Sequence, residues 1–135
     1  MTMQPVRFER VFPVTQADID DLGHVNNVVY VRWVQDVAAA HWAAATTAAE
    51  RAGVGWVVLR HEIDYKHPAR AGDEVVACTW VGPPAAATFE RHTEIVRAAD
   101  RRVLARARSL WCPINPQTGR VQRINPAFHD RFYSA

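Results

Sequence analysis

The stretch from Val28 to Ala45 is interrupted only by Arg32, Gln35, Asp36 and His41 and is otherwise apolar, with alanines and no proline or glycine. Such a segment favours a helix, and at 1.5 Å per residue it would run for ~27 Å. Four polar residues are too few to give it a solvated half. The pattern therefore predicts a helix that is apolar around most of its circumference and wrapped by other elements. Arg32 and Asp36, four apart, share a narrow polar stripe that argues against a membrane location, and Asn26 or Asn27 is placed to cap the helix start.

The flanking sequence supplies the wrapping. Val6 to Val14 favours an extended conformation, and Thr15 to Asn27 is polar, acidic and turn-prone. After Gly53 the chain reads as strands over Trp56–Tyr65, Glu74–Val81, Thr88–Arg97 and Arg102–Ile114. Turn chemistry lies at Arg70–Asp73 and Ala99–Asp100, and Pro83–Pro84 opens a loop. In the last of these strands Val103, Ala105, Ala107 and Ser109 alternate with Leu104, Arg106, Arg108 and Leu110, as expected of a sheet covered on one side. The final fifteen residues read as a turn, a short strand and a helical turn. One long helix against antiparallel strands gives an α+β fold with a curved sheet around the helix.

With 135 residues and 49% hydrophobic content, the chain has enough apolar material for one core, and one domain over 1–135 is expected. Sixteen basic against fourteen acidic residues leave a formal charge of +2 with no basic block, which does not point to nucleic acid. Arg7, Glu9 and Arg10 fall where a signal peptide needs its apolar centre, so a soluble, cytoplasmic protein without membrane association is expected. Cys78 and Cys112 each sit in a strand-like run, which suits buried free thiols better than a disulfide scaffold.

The densest polar constellation is Asp18-Ile19-Asp20-Asp21-Leu22-Gly23-His24-Val25-Asn26-Asn27, directly before the helix. First-turn N–H groups lack internal partners and can stabilise a developing oxyanion. A nearby acid would complete a hydrolytic site. Asp20 could attack an activated acyl carbon or deprotonate water, and His24 could orient the acid, bind the leaving group or move a proton. Gly23 would permit a sharp turn between them. The plainer alternative is a set of solvated turn carboxylates followed by an asparagine cap.

The stretch Phe12 to Trp33, above all D-x-D-x-x-G-H-V-N-N-x-x-Y, resembles the acyl thioesterases of the 4-hydroxybenzoyl-CoA thioesterase superfamily. The likeness continues through Arg60–Tyr65 and Pro68–Glu74 and fades after Ile114. The resemblance implies the hotdog fold and hydrolysis of an acyl-CoA thioester to a carboxylic acid and free CoA, without metal or other cofactor. It casts Asp20 as the catalytic carboxylate, Asp18 as a supporting acid and Gly23 as the motif glycine. The G-H-V-N-N segment is similar to plant acyl-carrier-protein thioesterases, which implies that His24 assists and that the Asn27 N–H faces the thioester carbonyl. Tyr30, one turn into the helix, is a candidate for lining the acyl pocket, with packing as the alternative. Gln35 stands where many relatives carry glutamate, and Gly82–Ala87 lacks the basic residues some use for the CoA phosphates. Arg91, Arg70, Arg60 or a second subunit could replace them.

Other constellations carry less. His61-Glu62-Ile63-Asp64-Tyr65-Lys66-His67 misses H-E-x-x-H, because Tyr65 stands at the second ligand position and a strand would set His61 and His67 ~20 Å apart. No metal is expected. Asn125 to Asp130 distantly resembles a hydratase signature but has one residue too many, and a C-terminal cap is the simpler reading. The alternatives to hydrolysis are a non-catalytic module binding acyl carriers or acyl-CoA, and a hotdog dehydratase. Family likeness and open sheet edges together imply a homodimer or homotetramer.

Overall fold

Residues 2–135 are described by a computed structural model. Strand β1 (Gln4–Pro5) and β2 (Phe8–Pro13) lead through a 3-10 turn at Gln16–Asp18 into α1 (Asn27–Ala45) and the short α2 (Ala48–Ala52). Then follow β3 (Gly55–Tyr65), β4 (Glu74–Pro84), β5 (Phe89–Arg97), β6 (Val103–Ile114), α3 (Pro126–Asp130) and β7 (Tyr133–Ser134). Five strands form one antiparallel sheet in the order β2-β4-β5-β6-β3, while β1 and β7 pair separately and bring the two ends of the chain together. The α+β class and the four long strands after Gly53 agree with the sequence reading.

Helix α1 departs from it in one respect. Its buried residues are Val29, Tyr30, Trp33, Val34, Val37, Ala38, His41 and Trp42, a stripe at three- and four-residue spacing. Arg32, Gln35, Asp36, Ala39, Ala43 and Ala44 are exposed, as is Val28. A single sheet covers one side of a helix, so α1 is half covered rather than wrapped. Alanines disguise this, since they tolerate either environment.

The covered face closes on Val75, Ala77, Ile95, Leu104 and Ala105 from the sheet. A second cluster at the far end gathers Trp42, Val81, Phe89 and Phe132, so the C-terminal segment seals the core where α1 ends. Burying one such large side chain contributes roughly 1.5–3 kcal/mol.

Strand β6 also breaks its expected alternation. Ala105, Ala107 and Ser109, on one phase, are buried and Val103 is partly so, but Leu104, on the opposite phase, is also fully buried. The pairing with β5 slips there: Ile95 faces Ala105, whereas Val96 faces Val103. Leu104 is the extra residue of a bulge, and its carbonyl accepts the N–H groups of Lys66 and His67. Asn125 caps α3 by accepting the Ala127 N–H at 2.9 Å, the structural role expected of that C-terminal motif. Both cysteines are free thiols. No helix among the described residues is long and apolar enough to cross a membrane.

Candidate active site

The acidic loop is built around two aspartates with different environments. Asp18 is buried and fully engaged. Its Oδ2 accepts the Thr15 N–H at 2.9 Å and the Thr15 hydroxyl at 3.0 Å, and its Oδ1 accepts from Arg32 Nη2 at 3.0 Å. Burial alone would raise the Asp18 pKa. The Thr15 N–H, the Arg32 guanidinium and the Thr15 hydroxyl outweigh it and hold the group below the usual carboxylate value. Asp18 thus clamps the loop to the exposed side of α1. The sequence sets Arg32 on one polar stripe with Asp36; in the structure its ion pair is with Asp18, fourteen positions away.

Asp20 is only half buried and organises a tight turn. Its Oδ1 accepts the N–H groups of Leu22 at 2.9 Å and His24 at 3.2 Å, and its own N–H donates to the His24 carbonyl at 2.7 Å. Gly23 closes the turn at φ 76°, a conformation that penalises a side chain, and Ile19 bridges to Val25 across it. No hydrogen bond within the described residues occupies Asp20 Oδ2. The His24 ring is likewise without a hydrogen-bond partner there; Asp20 is held by the His24 backbone.

The loop hands the chain to α1 through Asn26, whose side chain accepts the Val28 N–H at 3.1 Å and whose carbonyl accepts the Val29 N–H at 2.9 Å. The Asn27 N–H, first of the helix, has no acceptor among the described residues. It carries the partial positive charge of a helix start. Tyr65 donates to the Asn27 carbonyl at 3.1 Å, fixing this turn from β3.

Tyr30 is a packing residue. It is 2% exposed, meets Trp33 and Tyr65 edge-on, and its hydroxyl accepts the Ala69 N–H at 3.1 Å, while the Ala69 carbonyl accepts the Val25 N–H at 2.9 Å. The Pro68–Asp73 turn is thereby docked on the acidic loop. Burial raises the Tyr30 pKa, which keeps the phenol protonated.

Two cavities lie elsewhere, and neither is lined by Asp20, His24, Asn27 or Tyr30. One, of about 290 Å³, lies beside α1 between Gln35 and Trp42 and is walled by Trp56, Phe89, Trp111 and Arg91. A more open one, of about 660 Å³, lies between the Pro84–Thr88 loop and the C-terminal segment around Ile124 and His129. Arg91, a candidate for nucleotide contacts, is 4% exposed and borders the first of these cavities; Arg70 and Arg60 are exposed. The alternation of Phe89, Arg91, Thr93 and Ile95 carried the signal for that burial. Among the described residues no group of three or more His, Cys, Asp or Glu side chains is arranged to hold a metal.

The thioesterase-like superfamily model matches residues 14–132, nearly the whole chain. The chain belongs to that superfamily. Its fold is shared with solved hotdog structures. A 1,4-dihydroxy-2-naphthoyl-CoA thioesterase from Synechocystis matches with a TM-score of 0.81 at 18% identity, over 93% of this chain and 95% of that one. A Staphylococcus aureus protein solved in complex with CoA matches with a TM-score of 0.83 at 16% identity, over 97% and 84%. The 12:0-ACP thioesterase from Umbellularia californica matches with a TM-score of 0.78 at 19% identity, over 93% of this chain and 49% of that one. No match was found among curated protein sequences. At such identities these structures establish the hotdog architecture of this thioesterase-like chain.

Proposed function

We propose that this chain, as one hotdog domain, hydrolyses acyl-CoA thioesters to a carboxylic acid and free CoA, with Asp20 as nucleophile or general base. The observation that carries the reading is the start of α1. One loop there presents a carboxylate oxygen that no described residue engages and leads directly to the Asn27 N–H at the helix start, which has no acceptor among the described residues. The N–H would take the thioester oxygen as negative charge develops on it, and Asp20 Oδ2 would act on the acyl carbon or on water. His24, whose ring has no hydrogen-bond partner among the described residues, would move a proton or bind the leaving thiolate. Asp18 and Gly23 hold this geometry. A thioester carbonyl is electrophilic enough for a carboxylate and preorganised donors to suffice.

Superfamily membership supports thioester chemistry, and the structural neighbours named for CoA thioesters or solved with CoA support CoA as the carrier. An acyl carrier protein is the other candidate carrier.

The site needs a second wall. On one chain the cavity beside α1 begins at Gln35, eight residues past Asn27 and so ~12 Å along the helix. The last strand of the sheet order, β3, ends in an open edge where Val57 and Leu59 are 44% and 56% exposed. A homodimer, alone or within a tetramer, formed along that edge would cover these side chains and the site. Thiol release from a panel of aliphatic and aromatic acyl-CoA and acyl-pantetheine substrates tests the activity. At least one acyl-CoA should turn over with kcat/KM well above the pantetheine analogue. A folded protein that hydrolyses no thioester would overturn the reading.

A further inference from the structure

Arg91 is a buried cation without a counter-charge. It takes part in none of the ion pairs formed by the other arginines of the described residues. Its Nη1 is held at 2.9 Å from His41 Nδ1 and 3.2 Å from Thr79 Oγ1. Both partners are neutral acceptors fixed by their surroundings. The Thr79 hydroxyl spends its own proton on the His92 carbonyl at 2.8 Å. His41 is stacked on Phe8, and burial followed by the Arg91 charge lowers its pKa to about 4. At neutral pH it is therefore an uncharged imidazole accepting at Nδ1. Burial lowers the Arg91 pKa only to about 10, so the guanidinium stays charged.

A buried cation is disfavoured unless a counter-charge compensates it, and two neutral acceptors on one nitrogen do not replace a carboxylate. The cavity that Arg91 borders supplies the missing context. It is walled by Trp42, Trp56, Phe89 and Trp111, and no acidic side chain lines it. A second arginine, Arg51, lies on it and donates only to the Ala43 and Thr46 carbonyls and the Thr46 hydroxyl. At ~30 Å³ per water-sized group, about 290 Å³ holds roughly ten non-hydrogen atoms. An apolar, aromatic cavity with a buried, preoriented guanidinium on its wall and a second arginine at its side matches an anion with an apolar body.

We propose that this cavity is a receptor for an organic carboxylate of about ten heavy atoms, its apolar body against the tryptophans and its carboxylate on the Arg91 guanidinium. The carboxylate can be a second acid group on the acyl moiety of a thioester or the free acid itself. Only the first of these rests on the thioesterase reading; the receptor does not.

Equilibrium binding of 4-methylbenzoate and of neutral 4-methylbenzamide, followed by tryptophan fluorescence, tests it on the intact protein. The parent should bind the acid at least tenfold more tightly than the amide. Arg91→Met should abolish that preference, and Arg91→Lys should retain part of it while controlling for folding. In a second arm, kcat/KM for 4-carboxybenzoyl-CoA is compared with that for the isosteric, neutral 4-nitrobenzoyl-CoA. If the ratio falls tenfold or more in Arg91→Met, the acyl group carries the recognised acid. If it is unchanged while 4-methylbenzoate binding is lost, the free acid is the ligand. Acid binding that depends on Arg91 in a protein that hydrolyses no thioester would sink the hydrolase reading and leave the receptor standing. Equal binding of acid and amide by the parent, no binding of either at millimolar concentration, or a preference that survives Arg91→Met would overturn the receptor.

Discussion

His41 and Asp18 are buried titratable side chains whose folded and unfolded proton affinities differ, and they act in successive pH windows. Burial and then the neighbouring Arg91 charge lower the His41 pKa from 6.5 to about 4. Below pH 6.5 the unfolded chain binds a proton that the folded chain refuses, so stability falls as pH drops from 6.5 to about 4. A shift of this size corresponds to roughly 3 kcal/mol. Asp18 extends the loss further: its folded pKa lies below the ordinary carboxylate value, so its stabilisation is present above that value and disappears as pH falls through the folded one. Urea denaturation at a series of pH values should show a steady decline from pH 6.5 downward. His41→Gln, which keeps an acceptor for Arg91, should reduce the slope between 6.5 and 4, to which His61, its pKa also lowered by burial, still contributes, and leave the more acidic limb. These groups also mark where the sequence stopped being readable. The acidic loop announced its carboxylates, but which one is buried depended on Thr15 and on Arg32 across fourteen residues, a partnership that no local spacing marks. Tyr30 was ambiguous because a tyrosine one turn into a helix fits a pocket wall or a core equally well, and Ala69, its partner, is distant in the chain.

At the scale of elements, the turn from Asp20 to His24 is the part most dependent on a single backbone conformation. Gly23 sits at φ 76° with open space around a would-be Cβ, so the cost of a side chain there is purely conformational. Gly23→Ala should destabilise the protein by about 1–2 kcal/mol and lower thioester hydrolysis by misplacing Asp20. Gly53→Ala is the matched control: Gly53 has φ −90° and its Cβ would meet the Glu50 carbonyl at an ordinary 3.7 Å, so stability and activity should be unchanged. Thermal unfolding and thiol release on the two variants check both statements. Helix α1 and the four long strands were legible because their lengths and apolar patterns are unambiguous. The half-exposed side of α1 was not, since alanine does not report burial. Leu104 escaped because one inserted residue reverses the phase of a strand, and β6 carries its bulge without glycine or proline to mark it.

For the whole molecule, the exposed edge at β3 and the second wall proposed for the site lead to the same expectation. Sedimentation equilibrium should give a dimer or a dimer of dimers at micromolar concentration. Leu59→Lys, which places a charge on that edge, should shift the protein toward monomer and lower activity in parallel. A fully active monomer would show that one chain suffices and that the open edge is only solvated. The hotdog architecture was legible through a short motif backed by the order of elements, whereas a subunit contact leaves no pattern beyond exposed apolar residues on a strand.

The central claim is that the carboxylate of Asp20 does the chemistry, and Asp20→Asn tests it most directly. The substitution keeps an oxygen for the Leu22 and His24 N–H groups, so the loop and the unfolding temperature should be preserved. Measured on the best acyl-CoA of the panel, kcat/KM should fall by at least a hundredfold, in line with loss of an essential acid–base or nucleophilic group. A folded Asp20→Asn protein that retains activity within a few-fold of the parent would contradict the account.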